Sequence, residues 1–207
     1  MEFQFHGANA IQINTKKAKV LVDPNGAKPP VKVDKKYDIV LATQERLAGD
    51  TADAFVIDGP GEYEVSSISV NGVAARGHMD EEGETNATIY KVMTSSVYAA
   101  VVGHIHPDLS DDQLEAIGTV DILVIPVGGN GYTLDATGAA KVVRAMEPKI
   151  VIPTHYAMKG VTYEVPQAEL ELFMKEIGAG EDHEKTDKYK VKGDLPEKME
   201  VVELTKL

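Results

Sequence analysis

Residues 120–155 have the sequence VDILVIPVGGNGYTLDATGAAKVVRAMEPKIVIPTH, and this stretch decides the fold class. Residues 120–127 are an apolar run closed by two glycines, which predicts a buried strand. Residues 150–153 form a second apolar run and predict another strand. Between them, apolar residues at i, i+3, i+4 and i+7 ahead of a proline predict a helix with one apolar face: Ala139, Val142, Val143 and Met146. The order strand, helix, strand predicts a βαβ unit.

Shorter patterns surround this unit. Ahead of it, short apolar runs between turn residues predict mainly antiparallel strands, including a hairpin that turns at Asn71 and Gly72. Residues 87–92 and 97–102 predict a second hairpin. Behind it, helical spacing predicts a helix near residues 166–177. The segment from residue 181 is mixed in charge and is predicted to be a loop, followed by a last edge strand.

Length, charge and composition exclude several classes of protein. The chain has 207 residues, which fits one domain over residues 1–207. Asp and Glu number 33 against 21 Lys and Arg, and the net charge of −12 argues against binding to nucleic acid or an anionic membrane. Cysteine is absent, which excludes disulfides and cysteine-ligated zinc. No apolar run reaches the roughly 20 residues of a membrane span, and we expect a cytoplasmic protein.

Polar or glycine residues follow several of the predicted buried strands. Ligands of open α/β sheets bind beyond the carboxyl ends of the strands, so we expect these residues to share one cleft. They are Asp23, Thr43, Gln44, Glu45, Arg46, His104, Gly128, Gly129 and His155. The two glycines could cradle an anion, although their spacing favours a plain turn.

The six histidines include no pair at the i, i+4 spacing of a helical zinc motif. His104 and His106 are two residues apart after a strand. His155 follows an apolar strand and is the best single functional candidate. His183 lies in the charged tail and is expected at the surface. The sequence also lacks a nucleophile elbow, a phosphate-binding loop and a dinucleotide fingerprint.

Six segments occur in a characteristic order: FHGANAI from Phe5, VLVDP from Val20, YDIVLAT from Tyr37, VDILVIPVGG from Val120, YTLD from Tyr132 and PKIVIPTHY from Pro148. As a set they resemble the metallo-β-lactamase superfamily, in particular its lactonase-like branch with relatives of ascorbate-6-phosphate lactonase. The resemblance covers nearly the whole chain. It implies an α/β fold, the four-layer αββα sandwich, with a metal site where the two sheets meet. Two zinc ions usually activate a water molecule there.

The main metal motif of that superfamily, T-H-x-H-x-D-H, follows the strand that here ends at Ala42. This chain has Thr43-Gln44-Glu45-Arg46-Leu47-Ala48-Gly49 at that place, so all four ligands are lost. Glutamine is a poor zinc ligand, and arginine is a permanent cation. We therefore predict no two-zinc centre, and we expect Arg46 near a former zinc position, paired with Asp23 or Asp135.

Three other ligand positions carry histidines according to the same resemblance. His78 and His155 match metal-ligating histidines, and His104 stands where a bridging aspartate is usual. The three would form a mononuclear zinc site, or they are relics in a pocket without metal, which the loss of the main motif favours. The wider pocket is expected to contain His6, Asp23, Thr43, Gln44, Arg46, Gly128, Gly129 and Asp135.

Two functions are left open. The first is a non-catalytic descendant that binds a small anionic molecule without a cofactor. The second is a hydrolase of small esters, lactones or phosphorylated sugars, with a single zinc ion held by His78, His104 and His155. Neither nucleic acid nor a membrane is an expected partner, and the sequence allows a homo-oligomer.

Overall fold

The structure is a computed structural model that describes residues 1–34, 36–180, 183–191 and 194–207. Its strands are β1 (Glu2–Gly7), β2 (Ala10–Asn14), β3 (Lys19–Val22), β4 (Ile39–Leu41), β5 (Phe55–Ile57), β6 (Gly61–Val65), β7 (Ile68–Ala75), β8 (Ala87–Met93), β9 (Tyr98–Val101), β10 (Ile122–Pro126), β11 (Ile150–Thr154), β12 (Glu184–Thr186), β13 (Tyr189–Lys190) and β14 (Glu200–Leu204). Its helices are α1 (Asp111–Ile117), α2 (Ala136–Met146) and α3 (Leu170–Glu176).

Within the described residues the strands form two sheets. The first sheet has the order β13-β1-β2-β3-β4-β5, and the second has the order β12-β14-β11-β10-β9-β8-β7-β6. Single 3-10 turns lie at Pro24–Gly26 and Glu45–Leu47, after β3 and β4. None of the helices in the described ranges combines the length and the apolar character that crossing a membrane requires.

Alternating apolar residues explain why the two sheets pack face to face. On β1, Phe3 and Phe5 are fully buried, whereas Glu2, Gln4 and His6 are only partly covered. This period of two places every second side chain on the same face of a strand. The inner faces of both sheets, including Val124 and Ile152 of the second sheet, form one apolar core with the two phenylalanines.

The predicted βαβ unit is present as β10, α2 and β11. β10 and β11 pair in parallel from Ile122 opposite Ile150 to Pro126 opposite Thr154. The carboxylate of Asp135 caps α2 by accepting a hydrogen bond from the Gly138 amide at 2.7 Å. The apolar residues predicted for the helix are buried against the outer face of the second sheet.

The hairpin predicted at Asn71 and Gly72 is wrong, because both residues lie inside the continuous strand β7. The turn is made instead by Ser66 and Ser67, which have φ angles of 51° and 59°. Gly72 is needed for close packing between neighbours: a Cβ atom there would lie 3.0 Å from the ring of Tyr90. The second predicted hairpin, β8 with β9, is confirmed.

The two sheets and three helices confirm the predicted fold class. All three helices pack on the second sheet. The outer face of the first sheet is covered differently, by an irregular segment whose Val33 and Tyr37 pack on Leu21 and Val40.

The C-terminal part differs from its prediction in two ways. The tail contains the short strands β12 and β13, although residues 181 and 182 of the predicted loop lie outside the described residues. The last strand, β14, is not at an edge, because β12 pairs with its outer side and β11 with its inner side.

Candidate functional site

A cleft of about 580 Å³ lies where strand ends of the two sheets meet. Backbone hydrogen bonds join the sheets at this point. The Thr88 amide donates to the Thr43 carbonyl at 2.8 Å, and the His155 amide donates to the Ala8 carbonyl at 2.9 Å. The side chains that line the cleft include Thr43, Gln44, Glu45, Arg46, Asp58, His78, Asp80, Asn86, His104 and Tyr132.

A buried carboxylate fixes the floor of the cleft. Asp23 is fully buried, and it accepts hydrogen bonds from the Thr43 amide and the Thr43 hydroxyl, both at 2.7 Å. Asn9 donates to the same carboxylate at 3.3 Å and accepts from the Thr154 hydroxyl at 3.1 Å. Burial raises the pKa of Asp23 to about 7, although these hydrogen bonds act in the opposite direction. Asp23 therefore ties together the ends of β3, β4 and β11.

Two histidines and a tyrosine pack as a ring cluster beside this floor. The ring centroids of His104 and His155 are 4.7 Å apart in an edge-on arrangement. Tyr132 lies 5.0 Å from His104 and is stacked on His155 at 5.7 Å. Burial lowers the pKa of both imidazoles, and His104 lies well below its ordinary value because His155 and Arg46 add to the effect. Both rings are therefore neutral at pH 7.

The hydrogen bonds of the histidines determine which nitrogen carries the proton. His155 Nδ1 lies 3.0 Å from Oε1 of Gln167, whose amide group donates to the Val165 carbonyl at 2.9 Å. His78 Nδ1 lies 3.3 Å from the Ile105 carbonyl. Each Nδ1 is thus the donor, and each Nε2 is left as an acceptor. His104 is the third of the predicted metal ligands, and its buried Nδ1 has no hydrogen-bond partner in the described residues.

These residues do not fit the zinc site that the resemblance implies. Among residues 1–34, 36–180, 183–191 and 194–207, no three His, Asp or Glu side chains are grouped so that they could hold a metal ion. The ring of His104 packs against that of His155, whereas the ring of His78 lies beside that of His106, with the centroids 6.5 Å apart. Zinc in proteins takes at least three side-chain ligands. The three predicted ligands are therefore not assembled.

The hydrogen-bond partners of Arg46 differ from the predicted ones. Its guanidinium donates to the Tyr132 hydroxyl at 3.1 Å and to Oε1 of Gln44 at 2.8 Å. The predicted pairing with Asp23 or Asp135 is wrong within the described residues. The Asp23 carboxylate is already bonded to Thr43 and Asn9, and the Asp135 carboxylate caps α2.

Five of the predicted pocket residues lie outside the lining of the cleft. His6 is on the outer side of β1, where burial lowers the pKa of its imidazole. Gly128, Gly129 and Asp135 line a separate depression of about 340 Å³. The Gly129 amide donates to the Leu134 carbonyl at 2.9 Å, so this loop forms a turn and its amide is not free for an anion. Asp23 belongs to the floor beneath the cleft.

Sequence reasoning missed several residues that shape the site. Tyr132 belongs to the quoted segment YTLD, but no local pattern shows that its ring packs on two histidines. Asp58 and Asp80 follow β5 and β7 and line the cleft. Both aspartates come after strands, so the expectation that polar residues at strand ends share one cleft could have included them.

Comparison with known proteins agrees with this architecture. The model of the β-lactamase superfamily domain matches residues 2–155. A UPF0173 metal-dependent hydrolase of Thermoplasma acidophilum is 41% identical over 63 residues, which span 29% of this chain and 26% of that protein. A UPF0173 metal-dependent hydrolase of Lysinibacillus sphaericus is 28% identical over 196 residues, which span 75% of this chain and 85% of that protein.

A solved structure extends the comparison to the fold. A protein of Thermotoga maritima, described as a zinc-dependent hydrolase of the metallo-β-lactamase superfamily, superposes with a TM-score of 0.77 at 22% identity, over 98% of this chain and 97% of that one. The lactonase-like branch suggested by the sequence stays a prediction. Since the family model covers most of the chain and the fold agrees, this chain belongs to the β-lactamase superfamily domain family and has the metallo-β-lactamase fold.

Proposed function

We propose that the chain is a non-catalytic binding protein of this family, and that its cleft holds a small molecule through an anionic group at Arg46. The observation that carries the proposal is the state of this guanidinium. Arg46 is exposed at the cleft, and two of its five N–H donors bond to Tyr132 and Gln44. The other three have no hydrogen-bond partner among the described residues, so they are available to a carboxylate or a similar anion.

The ring cluster supports a binding role over hydrolysis. His104 and His155 are almost fully buried beneath Tyr132, and Arg46 holds the Tyr132 hydroxyl from the cleft side. A hydrolytic metal needs several ligands and an open position for water. The described residues assemble neither three ligands nor an exposed pair of imidazoles.

Calorimetric titration with N-acetyl-alanyl-alanine, which has a single negative charge, tests the proposal. We expect saturable binding that Arg46→Gln weakens by up to about fivefold, because an exposed charge pair contributes up to about 1 kcal/mol. Arg144→Gln is the matched control, since Arg144 is exposed on α2 and outside the cleft. Equal affinity of the wild type and the Arg46→Gln variant for this probe would refute the role of Arg46.

A mononuclear metal-dependent hydrolase is the second candidate function. It is favoured by the Nδ1 hydrogen bonds of His78 and His155, because histidines that bind metal through Nε2 usually donate from Nδ1 in this way. His78 would have to approach the other two rings. Metal analysis of untagged protein decides between the candidates: about one zinc ion per chain, lost on His155→Ala, would support the hydrolase and contradict the metal-free proposal.

A further inference from the structure

The wall of the cleft carries charges of both signs. Among the described residues that line the cleft, Arg46 is the only one with a permanent positive charge. The same wall contains three carboxylates, those of Glu45, Asp58 and Asp80. The lining therefore has an excess of negative charge, which disfavours a ligand that carries only negative charge.

The three carboxylates are not equivalent. Asp80 accepts hydrogen bonds from the Gly77 amide at 2.6 Å and the Asn86 amide at 2.9 Å, so it holds its own loop in place. Asp58 and Glu45 are exposed and make no side-chain hydrogen bond or ion pair with any residue in the described ranges. Both are therefore free to meet a positive charge that enters the cleft.

From this arrangement we infer that the ligand is a small zwitterion about the size of a dipeptide, with its carboxylate at Arg46 and its ammonium group at Asp58 and Glu45. The inference rests on the proposed function and names its ligand class. A purely cationic ligand would be repelled by Arg46 and would leave its three unused N–H donors without a partner. A purely anionic ligand would be repelled by the free carboxylates. Only a molecule with both groups satisfies both sides.

The size and the neutral lining fit a molecule of this class. Ligand pockets of about 300–1,000 Å³ enclose small molecules, and the cleft of about 580 Å³ lies within that range. Thr85, Asn86 and Thr88 add neutral polar groups to the wall. Such groups can bond to the amide that joins the two ends of a dipeptide.

Three probes of matched size test the inference by calorimetric titration. Alanyl-alanine carries both charges, N-acetyl-alanyl-alanine carries only the carboxylate, and alanyl-alanine amide carries only the ammonium group. We expect the zwitterion to bind about fivefold more tightly than either relative. Arg46→Gln should remove the advantage over the amide, and Asp58→Asn should remove the advantage over the N-acetyl probe. Asp53→Asn is the control, because Asp53 is exposed but outside the cleft.

The outcomes separate the inference from the proposed function. If the N-acetyl probe binds as tightly as the zwitterion and Arg46→Gln weakens both, the anion site stands and the zwitterion inference is overturned. If Asp58→Asn changes nothing, the assignment of the ammonium group is likewise overturned. If none of the three probes binds, both the inference and the proposed function fail.

Discussion

Replacing Thr43 with valine tests whether the buried carboxylate of Asp23 holds the floor of the cleft. Valine has nearly the shape of threonine but lacks the hydroxyl that donates to Asp23 at 2.7 Å. The Thr43 amide keeps its own hydrogen bond to the same carboxylate. A hydrogen bond to a charged group contributes about 1.5–3 kcal/mol, so we expect a loss of about 2 kcal/mol in the free energy of unfolding. In a chain of this length that corresponds to a fall of about 4–8 °C in Tm.

The loss should depend on pH in a defined direction. Burial raises the pKa of Asp23 from 3.8 to about 7, so the folded state binds the proton more tightly than the unfolded state does. The contribution of Asp23 to stability is therefore fully present below pH 3.8 and is lost as pH rises towards 7. The Thr43 hydroxyl favours the ionised form and lowers this pKa. Its removal should cost more at pH 8.5, where the wild-type carboxylate is charged, than at pH 5.5.

Urea denaturation followed by circular dichroism at both pH values measures the effect. Thr133→Val is the matched control, because the Thr133 hydroxyl is also fully buried but has no hydrogen-bond partner among the described residues. Its removal should not lower stability, because this hydroxyl makes no hydrogen bond and its burial carries a desolvation cost. The reasoning is refuted if Thr43→Val costs no more than Thr133→Val at pH 8.5, or if its cost is the same at both pH values.

Two further substitutions test the backbone around the site and the helix layer. Gly103→Ala should lower stability by more than about 3 kcal/mol, because φ is +59° and the new Cβ atom would lie 2.2 Å from the Thr43 hydroxyl oxygen. Gly131→Ala, with φ of +72° but no atom within 4 Å, should cost only about 1 kcal/mol; equal losses in thermal denaturation would contradict the steric explanation. Ser110→Ala removes the capping box of α1, in which Ser110 and Gln113 bond reciprocally, and should cost about 1 kcal/mol. Ser110→Asp should retain most of that stability in urea denaturation, and an unchanged Ser110→Ala variant would show that the cap contributes nothing.

The βαβ unit could be predicted from sequence because its signals are local. The spacing of Val142, Val143 and Met146 defines a buried helix face without any knowledge of distant residues. The prediction of a hairpin at Asn71 and Gly72 was wrong because the role of this glycine depends on a neighbouring strand and not on local sequence. A glycine that permits close approach to a neighbouring strand has the same local signature as a glycine that makes a turn.

The same limit applies to the candidate site. Loss of the four ligands after Thr43 is visible in the sequence alone. The partner of Arg46 is not, because Tyr132 lies 86 residues away along the chain and no local pattern joins the two. Asp23 was a reasonable partner on charge alone. Burial and the three hydrogen bonds from Thr43 and Asn9 make its carboxylate inaccessible, and such competition depends on the folded structure.

The position of β14 has a consequence for how the chain folds during synthesis. This strand, residues 200–204, inserts between β12 and β11, and the Leu207 amide donates to the Phe5 carbonyl near the other end of the chain. The second sheet therefore lacks an inner strand until the ribosome has released residue 204. Until then, β11 lacks its partner β14, and the edge of β11 is exposed. Similarly, β1 has no partner on one side until β13 has been translated. Contacts between residues so far apart in sequence form late, so the second sheet is completed only after residues 200–204 have been translated.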